Sequence, residues 1–259
     1  MPDLKPVPFT EAIEWAAGRN VELPDVYYGQ LQGLARAMSF SVAGLAQVDQ
    51  LQAVLDSLTE SLETGEAFSG WQQRVQDGEI PLDLPAHRIE NIFRTNTQGH
   101  YNRGRCEQQK RNTDTRPWYL YDAVNDSRTR PGHAAMDGFV ARYDDPAWQN
   151  WTPPNGYQCR CRRIALTEKQ AEWYRAADEK RQQDSEEVAQ ARAAALQVGP
   201  DTGWDYSLCT QPTAGLQRAI DSKRQRIARS PQAQQRGWLM RLLGGILDAL
   251  FDAWLELAD

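Results

Sequence analysis

The chain has 259 residues with 29 Lys and Arg against 35 Asp and Glu, a formal net charge of −6 and a pI near 5.2. That length is enough to bury a core as one large domain or two modest ones, and the acidic balance excludes a protein that wraps nucleic acid through its overall charge. A mean hydropathy of −0.69 describes a helix-rich chain with solvated parts; no basic segment followed by an apolar run opens it, and four Cys do not make a disulfide scaffold at this length, so cytoplasmic synthesis in a reducing compartment is expected.

Residues 1–8 are Pro-rich and read as extended. Thr10 is placed to cap a short helix with Ile13, Ala16 and Ala17 on one face, ending near Gly18. Asp25 offers a second cap, and Tyr28, Leu31, Leu34, Ala35 and Met38 keep helical spacing. A third helix carries Val48, Leu51, Val54, Leu55, Leu58 and Leu62 on one stripe and stops at Gly65. A fourth, around Trp71 and Val75, starts from a Ser69 cap. Amphipathic stripes of this kind report a packed helical bundle.

Gly78–Pro85 is a turn-rich break and the first candidate boundary. Beyond it Arg88–Asn112 reads as one long helix, whose apolar stripe (Ile89, Ile92, Phe93) gives way to Thr95, Asn96, Thr97, His100, Asn102 and Arg103. A polar face of this kind points to a hydrogen-bonded contact with a neighbouring element, here the central unit. From Thr167 to Leu196 helix formers dominate and large apolar residues are few, so the segment is either a protruding helix or one laid on a partner, ended by the turn at Gly199–Gly203. Residues 216–236 form a local basic patch; a solvated face is the simpler reading, and contact with a phosphate backbone through 223–229 is the other. The last 22 residues are apolar over most of a helical circumference, with a polar stripe of Arg241, Gly245, Asp248, Asp252 and Glu256. Three carboxylates near the middle argue against a membrane span. Trp238, Leu242, Leu243, Ile246, Leu250 and Trp254 are the candidate partner-binding residues, by docking into the chain's own bundle or into a groove on another subunit.

Between these helical flanks, Trp118–Arg163 concentrates aromatic, turn-forming and thiol residues and predicts a compact, irregular β-containing unit. Cys159-x-Cys161 lacks zinc-knuckle spacing, and on a strand the two side chains would face opposite ways. His133, Cys159 and Cys161 with Cys106 or His100 would make a four-ligand set, but the spacing favours buried structural thiols and no metal. Asp126, Arg128 and His133 place a carboxylate, a guanidinium and an imidazole within eight residues, groups that a nuclease or nucleotide-transferring enzyme uses as base, phosphate clamp and acid. No nucleophile elbow or metal-binding carboxylate pair completes that set. The alternative is a framework in which Asp126 accepts hydrogen bonds from a turn or an arginine. Pro153-Pro154-Asn155-Gly156-Tyr157 reads as a rigid turn into a final strand.

The order NDSRTRPGH, MDG, DDPAW and PPNGYQCRCRR resembles the head morphogenesis (minor head protein) family of tailed phages, in particular its phage Mu F-like branch. RIENIFRTNTQGHYNRGR, FTEAIEWAAGRNVELP and DTGWDYS extend the similarity over roughly residues 8–208. Leu208-Cys209 stands where relatives commonly have Pro-Gly, and the apolar tail from Trp238 has no family counterpart. The resemblance implies a non-enzymatic virion protein of the head, assembled in the host cytoplasm and present in few copies. It implies association with the portal vertex, with the portal protein and a major capsid or scaffold protein as partners, in capsid assembly or genome packaging and ejection; it implies no cofactor and no membrane. On this reading Asp126, Arg128, Thr129, Pro131, His133, Gly138, Pro154, Gly156, Cys159 and Cys161 are core framework residues rather than catalytic ones. The expected fold is α+β: a helical N-terminal region over 1–78, a core module over 86–165, and a helical C-terminal arm over 166–259.

Overall fold

The computed structural model describes residues 9–31 and 33–210. The tail residues Trp238, Leu242, Leu243, Ile246, Leu250 and Trp254, and the basic stretch 223–229, lie outside the described residues. The architecture is α+β, with one two-stranded and one three-stranded sheet set among helices.

Helix α1 runs Thr10–Ala17 and ends at Gly18. Thr10 is its first residue and not its cap; Phe9 holds the cap position without a side-chain hydrogen bond. The buried face is Ala12 and Ala16 rather than Ile13 and Ala17, because a long helix approaches α1 too closely for larger side chains. The single helix expected from Asp25 to Met38 is instead two short ones, α2 (Pro24–Gly29) and α3 (Gly33–Ala37). Asp25 lies inside the first turn of α2 and does not cap it, and Tyr28 is left 40% exposed. These helices return the chain so that β1 (Asn20–Val21) pairs in parallel with β2 (Ser39–Phe40). That pairing overrides a helical spacing already weakened by glycine at 29 and 33.

Helix α4 (Val48–Thr64) buries Leu51, Val54, Leu55, Leu58 and Leu62 and stops at Gly65 in the left-handed conformation (φ +71°), as its sequence pattern predicts, but Val48 in its first turn is exposed rather than on the buried stripe. Helix α5 (Phe68–Gln76) starts ahead of Ser69, with Ala67 at the cap position, and buries Trp71 and Val75. Leu51, Val54, Leu55, Leu58, Trp71 and Val75 close a first core with Phe40, Ile80, Leu82, Ile89, Ile92 and Phe93.

The last three of those residues open helix α6 (Ala86–Arg111), the longest element described. Past Arg94 its buried positions turn polar: His100, Asn102, Arg103 and Gln109. His100, Arg103 and Gln109 have polar partners, while the Asn102 amide nitrogen has none among the described residues. Arg103 donates to the Leu208 carbonyl at 2.6 Å, pairs with Glu107 at 2.6 Å and lies 4.6 Å over the Trp15 ring. Arg19, between α1 and β1, donates to Asn96 Oδ1 at 2.7 Å and to the Ser39 carbonyl, and approaches His100 Nε2 at 3.3 Å. Burial first, and then the Arg19 charge, hold His100 well below the ordinary histidine value, so its ring is neutral at pH 7. Gly104 is where α1 meets α6: a Cβ there would stand 2.8 Å from the Ala12 backbone nitrogen and from the Phe9 ring.

Strands β3 (Trp118–Asp122), β4 (Val140–Arg142) and β5 (Arg162–Leu166) form an antiparallel sheet in the order β4-β3-β5. Alternation along β3 sends Tyr119 and Tyr121 to one face, with Met136, Trp148, Trp151, Cys159 and Cys161. Leu120 goes to the other, with Leu166 and Ala171. Ala171 belongs to helix α8 (Glu168–Asp184), which begins at a Thr167/Gln170 capping box. Helix α9 (Glu186–Val198) restarts from a Ser185 cap and ends at Gly199, so the helical stretch expected over 167–196 is two elements. Arg192 of α9 is buried and pairs with Asp178 of α8 at 2.9 Å; it also donates to the Asp137 carbonyl at 2.7 Å. Helix α9 is thereby fastened to the short helix α7 (Pro131–Met136) that precedes Asp137.

Cys106 and Cys209 form a disulfide, with Cα atoms 5.3 Å apart across 103 residues. The expectation of a reducing compartment does not anticipate this bond: the two cysteines are remote in sequence, and only the return of residues 207–210 to α6 brings them together. The described residues fall within one compact unit. Among them no helix is long and apolar enough to cross a membrane.

Two consequences are measurable. Gly104→Val should destabilise the chain by ~1–3 kcal/mol in urea unfolding, because α1 has nowhere to retreat. Gly99→Ala on the same helix, with nothing within 4 Å of the new Cβ, should instead stabilise by ~0.5–1 kcal/mol. His100 binds its proton more weakly folded than unfolded, so its contribution is complete above the ordinary value of 6.5 and is lost as pH falls below it. His100→Gln should flatten the fall in thermal midpoint between pH 7 and pH 5.

Candidate functional site

The sequence motifs of the central stretch come together at one corner of the three-stranded sheet. Pro131 starts α7 at its first turn, where a missing N–H leaves nothing unpaired, and so fixes His133 on the inward face. The opposite wall is the loop 153–161. Its Pro153–Pro154 peptide is cis, and Asn155 is fully buried, donating to the Asn150 carbonyl at 2.8 Å. Gln158 adopts φ +54°, and regular pairing resumes only at Arg162.

Cys159 and Cys161 therefore precede the strand, and the two-residue alternation that would separate them does not apply. Both thiols point at the same atom: Cys159 Sγ is 3.7 Å and Cys161 Sγ 3.6 Å from His133 Nδ1. All three residues are buried, and their ligand atoms lie within 4.8 Å of one another. Cys106 and His100, the other ligands considered from sequence, are committed elsewhere, to the Cys209 disulfide and to Arg19. Within the thiol pair, Cys159 is drawn below the ordinary value first by its hydrogen bond with Cys161, and then by His133 and the Asn155 backbone, against burial. Cys161 is raised first by that hydrogen bond and then by burial.

A residue outside the sequence-derived set closes the site. Asp201, in the turn after α9, sits 3.6 Å from His133 Nε2 through Oδ1 and 3.0 Å from Arg130 Nε through Oδ2. Its own N–H donates to the Asn155 carbonyl at 3.3 Å. Gly156 makes this approach possible, since a Cβ there would overlap the Asp201 carboxylate. Asp201 opens the DTGWDYS segment, but a lone aspartate in a turn carries no signal of a partner 68 positions upstream.

Asp126, Arg128 and His133 do not assemble as an acid–base set. Asp126 is held by Arg160 through two bonds of 2.6 and 2.7 Å and accepts from the Arg128 backbone N–H at 3.0 Å. Those contacts, the Arg160 hydrogen bond foremost, keep its carboxyl far below the usual carboxylate range, which makes it a poor proton acceptor at neutral pH. Thr129 Oγ1 closes the same turn against Asp126 at 3.3 Å. The Arg128 side chain is 71% exposed and only 4.0 Å from Asp126. Gly138 (φ +83°) turns the chain from α7 into β4, while Asp137 accepts from the Ala123 N–H at 2.9 Å. Arg128, Arg130 and Arg160 with Arg94 line a groove of about 340 Å³ beside the cluster.

Arg163 also escaped the sequence reading. It is 4% exposed, donates to Gln109 Oε1 at 2.9 Å, Thr152 Oγ1 at 3.1 Å and Cys209 Sγ at 3.0 Å, and lies 4.1 Å over the Tyr119 ring. Gln109 returns a bond to the Arg163 carbonyl at 2.8 Å. Burial pushes the guanidinium down to about 10, which still leaves it charged at neutral pH.

A family model described as "Phage Mu protein F like protein" matches residues 52–164. The "Mu-like prophage FluMu F protein" of Haemophilus influenzae is 35% identical over 158 residues, 55% of this chain and 38% of that protein. The "Putative capsid assembly protein F" of Escherichia phage Mu is 33% identical over 181 residues, 62% of this chain and 41% of that protein. The chain thus spans about two fifths of the length of these curated relatives. No solved structure matches. The family match takes in most of α4, α5, α6, β3, β4, the start of β5 and the whole His133–Cys159–Cys161 cluster: over residues 52–164 this chain is similar to the phage Mu protein F-like family.

Proposed function

We propose that the chain is a minor head protein of a tailed phage that acts in capsid assembly as a structural component and not as an enzyme. The observation that carries this reading is the family match over the sheet module, together with a relative of that family named as a putative capsid assembly protein. The geometry of the motif residues supports it. Asp126 is consumed by Arg160, Gly138 and Gly156 serve turns and close approaches, and Pro131 and the cis Pro154 shape backbone. Such a corner is built to hold one conformation.

Within that role we infer binding at the portal vertex, with the portal protein as first partner and the major capsid or scaffold protein as second. The apolar tail around Trp238, Leu242, Leu243, Ile246, Leu250 and Trp254 is the proposed docking segment, since a sequence this rich in large apolar residues needs burial. Residues 223–229 supply a weak contact to DNA that added salt should screen.

The test is genetic and biochemical. In the phage that encodes the chain, inactivating its gene should lower the yield of DNA-filled heads, and mass spectrometry of purified heads should find the chain in substoichiometric amount. Normal heads that contain none of it would contradict the assembly role. For the partner, co-expression with the portal protein should give a complex that is lost on deleting residues 238–259; undiminished binding by the shortened chain would remove the tail from the account.

A further inference from the structure

We propose that His133, Cys159 and Cys161 form a site for one thiophilic divalent cation of the zinc class, with His133 bound through Nδ1 and Asp201 orienting the imidazole from behind.

The distances are the first argument. Metal–sulfur bonds of about 2.3 Å and metal–nitrogen bonds of about 2.0–2.1 Å at a tetrahedral angle place nitrogen and sulfur about 3.6 Å apart. The two N···S separations are 3.7 and 3.6 Å. A neutral imidazole nitrogen with one lone pair in the ring plane accepts one S–H, which leaves the second sulfur at the same range to another interaction. A single atom shared by all three accounts for both.

The surroundings are the second argument. Ligating histidines usually present their other ring nitrogen to a carboxylate, which fixes the tautomer and the ring plane. His133 Nε2 is buried with no hydrogen-bond partner, and it faces Asp201 Oδ1 at 3.6 Å while Arg130 anchors the other carboxylate oxygen at 3.0 Å. Two thiolates and a dication sum to zero charge, which the shell of Tyr121, Met136 and Trp151 tolerates.

The fourth position is open. A cavity of about 20 Å³ adjoins all three ligands and is rimmed by Arg128, Thr129 and Arg160, which is room for one water. A Cys2His set completed by water satisfies four-coordination. The short Cys-x-Cys spacing is no obstacle, because the left-handed Gln158 turns the chain just before Cys159.

The test uses the untagged full chain with its free thiols reduced. After exposure to Zn(II) and removal of the excess, elemental analysis should find one zinc per chain. Co(II) should give thiolate-to-cobalt charge-transfer absorption and the intense visible bands of a four-coordinate ion. Asp201→Asn keeps every ligand and should weaken Zn(II) by ~10–100-fold in competition with a chromophoric chelator, and Cys161→Ser should abolish the charge-transfer band. A wild-type chain folded by circular dichroism that retains neither metal would overturn the proposal. So would a Cys161→Ser chain with the band intact, or alkylation mapping that finds Cys159 and Cys161 joined to each other. Unchanged affinity in Asp201→Asn would overturn the part assigned to Asp201.

Discussion

Arg163 is a buried cation whose hydrogen-bonding partners are neutral groups, and the described fold closes around it. A guanidinium removed from water loses several kcal/mol of hydration unless each N–H finds an acceptor. Here the acceptors come from separate parts of the chain: Gln109 on α6, Thr152 in the loop after Trp151, and Cys209 near the end of the described residues. The Tyr119 ring covers the guanidinium plane at 4.1 Å. Moving any of these elements strands a charge, so β5, β3, α6 and residues 207–210 are tied to one position. Gln109, at the polar end of α6, answers this requirement. An apolar stripe there would pack, but it would not satisfy an arginine.

The same economy of polar groups recurs around the site. Asp126 and Arg160 neutralise each other, and Arg130 pairs with Asp201. Arg192 pairs with Asp178 while also capping the carbonyl of Asp137. The Asp126–Arg160 and Arg130–Asp201 pairs are partly exposed, so each contributes little stability by itself, whereas the Arg192–Asp178 pair is buried. Their effect is directional. They set the loop 153–161, the turn at Asp201 and helix α7 at the separations the His133–Cys159–Cys161 cluster shows. What remains exposed is a run of guanidiniums, Arg94 and Arg128 among them, around a groove that opens beside the cluster.

Much of this was legible before the structure. The stripe of α4 and its Gly65 stop, the long α6 with its fading apolar face, and the irregular β module follow from periodicity and turn chemistry, which are local. The failures were tertiary. The stretch 25–38 has helical spacing, yet β2 must return beside β1, and the helix breaks in two. Cys159 and Cys161 look opposed on a strand, yet the strand starts one residue later. Cys106 and Cys209 form a pair that no spacing announces. Asp201 and Arg163 matter through partners tens of residues away, and a single sequence gives such residues no distinguishing mark.

The central claim is that α6 and the Arg163 clamp make the helical N-terminal part and the sheet module one cooperative unit within the described residues. Hydrogen exchange of the intact chain in rising sub-denaturing urea tests it directly. Amides of Leu55 and Leu58 in the first core and of Tyr119 and Tyr121 in the second should converge on one opening free energy with one urea dependence. Two separate openings, with the sheet module exchanging while α4 stays protected, would contradict the account.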